Sequence, residues 1–175
     1  MSERDTHPLD EEVGDGSPEK DRRRPGKSLF ARALGYLSRR EYSRAELAGK
    51  LAPHVVEGDS IDALLDRLEA ENWLSNSRFT DSLVHRRASR FGAARIVMEL
   101  KRHSVDQTLI ETVQDQLRES EGHRAKAVWE RKFGGELPRS PEEYAKQSRF
   151  LASRGFSGQA ISRLLRGRFE PDESI

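Results

Sequence analysis

Three six-residue segments of this 175-residue chain align without gaps: Tyr42-Ser43-Arg44-Ala45-Glu46-Leu47, Phe91-Gly92-Ala93-Ala94-Arg95-Ile96 and Phe156-Ser157-Gly158-Gln159-Ala160-Ile161. In each, an aromatic residue closes one helix, and Ser or Gly allows a tight turn into the next. An aliphatic residue, Leu47, Ile96 or Ile161, then starts a buried stripe that Leu51, Leu100 and Leu165 continue at the same offset. An aromatic wedged between two helices holds them at a fixed angle, so the repeated corner describes helix-turn-helix hairpins. Tyr42, Phe91 and Phe156 are accordingly read as packing residues rather than as platforms for stacking bases. The copies stand 49 and then 65 residues apart, so the third has gained about one helix upstream, assigned to Glu121–Phe133.

Apolar residues keep helical spacing from Phe30 onward, and no stretch alternates as a strand does. Ser43 with Glu46 reads as a capping box, Ser140-Pro141 puts proline at a first helical position, and Ser157 precedes the last helix. The predicted fold is all-α, with about nine helices over 29–40, 43–52, 60–72, 77–90, 92–103, 106–119, 122–133, 142–154 and 157–166. Apolar residues make up 34% of the chain and charged ones 35%, enough for narrow cores and not for a thick layered one, which favours thin, elongated packing. Trp73 and Trp129, at helix ends, are read as packing residues.

The same composition removes several classes of function. With no cysteine there are no disulfides, thiolate zinc sites or cysteine nucleophiles. His7, His54, His85, His103 and His123 have no partner at helical spacing, so no metal is expected, and Asp10-Glu11-Glu12 sit in a stretch too polar to fold. Gly134-Gly135 lacks the strand and lysine of a phosphate loop, and no serine stands in a nucleophile elbow. No catalytic residue, cofactor or enzymatic activity is expected. Met1–Asp5 lack a secretory apolar stretch, and no run approaches the roughly 20 apolar residues of a membrane span, so the expectation is a soluble cytoplasmic protein with no membrane partner.

Net charge is +1, unevenly spread. Residues 1–27 hold eight acids and six Lys/Arg, Arg78–Arg102 seven Lys/Arg and two acids, and Lys146–Arg168 six Lys/Arg and no acid. Helical spacing turns Arg86 and Arg90 away from Val84, Ala88 and Phe91, with Arg87 and Arg95 beside them and Lys101 and Arg102 closing the next helix. Lys146 and Arg149 share a face of the following basic helix, and Arg163 and Arg166 project from the last. These ten cations form candidate basic faces for carboxylate or phosphate groups, since the arginine fork pairs with either; the alternative is a merely solubilising surface.

Leu37-Ser38-Arg39-Arg40-Glu41-Tyr42-Ser43-Arg44-Ala45-Glu46-Leu47 resembles the first-repeat signature of the RecX family of bacterial recombinase regulators, and Arg149-Phe150-Leu151-Ala152-Ser153-Arg154-Gly155-Phe156-Ser157 its C-terminal one. Leu74–Phe79 and Arg95–Leu100 are similar to the middle repeat, although Ser75-Asn76-Ser77 lacks the usual acid and with it a helix cap. The resemblance spans Ser28–Arg166. It implies tandem three-helix repeats in a curved, elongated molecule, and with the composition of the ends the chain divides into a disordered charged tail 1–27, repeats 28–75, 76–120 and 121–168, and a short tail 169–175. It also implies a monomer that lodges in the groove of the RecA filament on single-stranded DNA. There it would inhibit ATP hydrolysis, strand exchange and co-protease activity, damping recombination and the SOS response, with weak DNA binding in some members. The competing reading is a stand-alone helix-turn-helix DNA-binding protein, against which the modest net charge weighs.

Overall fold

A computed structural model describes residues 27–166; the charged tails expected at either end lie outside the described residues, apart from Lys27. Nine α-helices are present among the described residues, and no strand. They are α1 (Leu29–Leu37), α2 (Arg44–Leu51), α3 (Ile61–Ala70), α4 (Asn76–Ala88), α5 (Ala93–Arg102), α6 (Gln107–Glu119), α7 (Glu121–Phe133), α8 (Pro141–Ser153) and α9 (Gly158–Leu165). A single 3-10 turn, Ala52–His54, follows α2.

The helices begin where short polar side chains can accept the first free N–H groups. Ser28, Ser43, Ser60, Ser75, Asp106, Ser140 and Ser157 each take a backbone N–H two or three residues ahead, at 2.9–3.3 Å. Ser75 therefore caps α4 without the missing acid, which corrects the expectation that this cap is lost. At Ser43 only half a capping box forms, because the Glu46 carboxylate turns to pair with Arg40.

Packing divides into three bundles of three helices, each around its own core. The first core holds Ala33, Tyr42, Leu47, Leu51, Leu65 and Leu68. The second is built on Phe79, Leu83, Ile96, Leu100, Ile110 and Val113, and the third on Ala125, Trp129, Leu151, Phe156, Ile161 and Leu165. The aligned corners fall between the first and second helices of bundles one and two, but between the second and third helices of bundle three. The helix inserted upstream of the third corner is α7. Trp129 is buried and donates its indole N–H to Gln147 at 2.6 Å, whereas Trp73 is 52% exposed. Trp73 is no packing residue: the turn after α3, with Asn72 at φ 61°, leaves its side chain outside while Leu74 takes the core position.

Side chains close the joint between bundles one and two. Arg78 of α4 donates to Glu41 at 2.9 Å and to Asn72 and Trp73 carbonyls, and the Arg44 N–H donates to Asn76. The second joint is made mainly by backbone. Gly92, which starts α5 with no capping side chain, donates its N–H to the Arg154 carbonyl at 2.9 Å, and Ala94 donates to that of Gly155 at 3.3 Å. A Cβ on Gly92 would run into the Gly155 carbonyl group. Gly155 is itself at φ +87°, where only glycine is unstrained, and a Cβ there would lie 2.7 Å from the Arg95 nitrogen. Arg124 of α7 completes the joint by donating to the carbonyls of Phe91 (2.8 Å) and Leu117 (2.7 Å), and its burial pulls the guanidinium pKa below its usual value.

Three positions test these contacts. Gly92→Ala must force the two backbones apart and lowers stability by at least about 2 kcal/mol, seen as a Tm drop of several degrees. Gly49→Ala, inside α2 with open space where its Cβ would go, raises stability by about 0.5–1 kcal/mol. Arg124→Lys has no fork to reach two carbonyls at once, so thermal melts show it about 1–3 kcal/mol less stable, and Arg124→Ala no better.

Candidate partner-binding surface

The ten candidate cations do not form one surface. Arg87 is the clearest departure: its guanidinium forks onto Glu99 of α5 at 2.8–3.2 Å, which pushes its pKa up and ties α4 to α5. Its charge is spent on a partly exposed pair within its own bundle, because α4 and α5 pack with these two positions facing each other. Arg86, Arg90, Lys101, Arg102, Arg149, Arg163 and Arg166 are exposed and have no carboxylate partner among the described residues. Lys146 lines a hollow with Glu136 and Glu143, so acids stand near it.

Of the clefts at the joint between bundles two and three, two are lined by several arginines. The larger, about 670 Å³, places Arg87, Arg95 and Arg102 opposite Ser153 and Gly155, with Arg95 donating to the Ser153 carbonyl at 3.0 Å. The smaller, about 250 Å³, brings Arg90 from the end of α4 to Arg131 and Lys132 of α7 and Arg154 after α8, over Val128 and Phe150. Phe91 stands at this joint. Tyr42 and Phe156 are buried, as are Leu47, Ile96 and Ile161, but Phe91 is only half-buried and carries the guanidinium carbons of Arg95, Arg154 and Arg90 at 4.8, 5.5 and 5.6 Å from its ring centre. The reading of Phe91 as simple core packing is thus incomplete, since one side of the ring meets the core and the rest meets cations.

Arg131, Lys132 and Arg154 were not among the sequence candidates. Arg131 and Lys132 are visible in the sequence only as the basic last turn of a helix, which by itself reads as dipole compensation. Their apposition to Arg90 depends on how two bundles dock.

The arrangement offers ion pairing and little else. No group of three or more His, Cys, Asp or Glu is placed to hold a metal among the described residues. In the larger cleft the Ser153 hydroxyl donates to the Phe150 carbonyl at 2.8 Å rather than to His103, which also lines the cleft. No helix of the described residues is long and apolar enough to cross a membrane.

Comparisons with known proteins agree with this architecture. Family models described as the first, second and third three-helix domains of RecX match residues 30–68, 75–113 and 119–165. The Regulatory protein RecX of Ralstonia nicotianae is 59% identical over 140 residues, covering 80% of this chain and 87% of that one. The Regulatory protein RecX of Herminiimonas arsenicoxydans is 51% identical over 146 residues, covering 83% and 96%. The crystal structure of RecX from Lactobacillus salivarius superposes with a TM-score of 0.65 at 19% identity, over 80% of this chain and 94% of that one, and so shares its fold. Three domain matches in order and this level of identity over most of the chain place it in a family: it belongs to the RecX family.

Proposed function

We propose that this chain is a non-enzymatic, cytoplasmic regulator of the RecA recombinase that binds the RecA filament on single-stranded DNA and inhibits its ATPase, strand-exchange and co-protease activities. Family membership suggests the partner, and one observation supports how it is bound. In the first bundle three of the five arginines are spent on structure: Arg40 pairs with Glu46, Arg67 with Glu71, and Arg44 with Asp66 and Glu69, while Arg32 and Arg39 have no carboxylate partner among the described residues. On the second and third bundles Arg86, Arg90, Arg149, Arg163 and Arg166 are left without carboxylates among the described residues. Exposed guanidinium groups, more readily desolvated than ammonium groups, suit acidic patches on neighbouring RecA subunits and the DNA they enclose. Bundles held in fixed relation would bridge two subunits and hold the filament in a poorly active state.

Replacing Arg86, Arg90, Arg163 and Arg166 together by Ala tests this reading. Truncating an arginine that matters at an interface costs about 1 kcal/mol or more, so the concentration giving half-inhibition of the DNA-dependent RecA ATPase is expected to rise at least tenfold. Unchanged inhibition at moderate salt would mean these groups are solvated surface. Tight, steeply salt-dependent binding to naked duplex DNA, with no effect on RecA, would instead identify a stand-alone DNA-binding protein.

A further inference from the structure

The smaller cleft between bundles two and three has a composition that differs from a general basic surface. Arg90, Arg131, Lys132 and Arg154 surround it, and none has a carboxylate partner among the described residues. Arg131 makes only a long contact, 3.5 Å, to the Ser89 carbonyl, and Arg154 lies over the rings of Phe150 and Phe91 at 5.1 and 5.5 Å. The floor is apolar, made of Val128 and the partly buried Phe150. At about 250 Å³ the cavity is smaller than the usual range for small-molecule sites.

We propose that this cleft is a docking site for an acidic peptide segment of a protein partner, its carboxylates on the four cations and one apolar side chain on the floor. The inference rests on the reading of the chain as a protein-binding regulator and names the chemistry of one contact. Charge complementarity selects the occupant's sign, and forked guanidinium groups favour flat, two-oxygen acceptors. The floor separates a peptide from a nucleic-acid strand. Single-stranded nucleic acid is held by bases stacked on open aromatic faces, whereas Phe150 packs edge-on against Phe133 at 5.4 Å and already carries Arg154. A sugar-phosphate backbone projects no apolar side chain that could seat on Val128, only sugar carbons flanked by oxygens. Because both bundles supply walls, the site exists only while the Gly92–Gly155 joint is closed.

The test is fluorescence anisotropy of the full chain with a labelled, end-capped peptide of four acidic residues flanking one leucine. Controls are the same peptide with serine for leucine, its Asn/Gln form, and a labelled oligothymidylate of equal charge. The leucine peptide is expected to bind at least tenfold more tightly than the serine and amide forms. Arg131→Glu with Lys132→Glu, both on the exposed end of α7, should weaken it at least tenfold, while the equal charge change Arg39→Glu with Lys50→Glu on the first bundle changes it less than twofold. Circular dichroism melts confirm that the paired variants fold. No peptide binding, equal losses in both paired variants, or indifference to the leucine each overturn the proposal. Preference for the oligothymidylate, lost in the same α7 variant, also overturns it and makes the cleft a phosphodiester site. RecA inhibition is measured in parallel. Inhibition by a chain that ignores the peptide removes the cleft and keeps the filament reading; peptide binding by a chain that leaves RecA untouched supports the cleft and removes the filament reading.

Discussion

Gly92 and Gly155 bring two backbone segments from different bundles so close that neither can carry a side chain. The contact replaces a missing cap. At the other two corners a serine hydroxyl accepts a free N–H of the following helix, but at α5 the donors of Gly92 and Ala94 are taken by carbonyls of the turn before α9. A helix end satisfied by its own serine can stand alone, whereas one satisfied by the neighbouring bundle requires that bundle in place. Arg124 acts in the same sense, since its bonds to Phe91 and Leu117 carry the third bundle's charge into the end of the second. Glu121 holds the turn from the other side, accepting from both the N–H and the hydroxyl of Ser157. The clefts at this joint, and the approach of Arg90 to Arg154, are consequences of that docking.

Local chemistry was legible in the sequence. The corners at Tyr42, Phe91 and Phe156, the serine caps and the helical spacing of leucines are all settled within about ten residues of chain, so reading them in order yields the nine helices with small shifts at their ends. What failed to read was decided between elements. Trp73 looks like Trp129 in sequence, and only the left-handed turn at Asn72 puts one outside and lets the other reach Gln147. Glu46 could have completed a capping box, but Arg40 competes for it. The substitution of glycine for serine at the second corner was visible, yet it reads as a permissive turn until the other bundle is seen pressed against it.

Charge counting failed in an instructive way. Arg78–Arg102 is strongly basic in sequence, but Arg78 closes the first joint on Glu41 and Arg87 ties α4 to α5 through Glu99. Both are structural cations in partly shielded geometry, where a forked ion pair fixes orientation better than it adds stability. The cations left over are those that no neighbouring helix opposes. Sequence position does not distinguish the two kinds, because the opposing carboxylates lie 37 and 12 residues away.

Phe91 shows how the structural and functional demands meet. As a corner residue it needs burial, and Tyr42 and Phe156 obtain it. The second corner packs against its own bundle's core yet stays only half-buried, and the three guanidinium groups near its ring come from both bundles: Arg90 and Arg95 from the second, Arg154 from the third. Ring attraction of roughly 0.5–1 kcal/mol per exposed cation offsets part of the repulsion among three like charges. It does not neutralise them. A joint that fixes two bundles by backbone contact also concentrates positive charge at its rim, and an anionic partner bound there would relieve that repulsion while holding the joint closed.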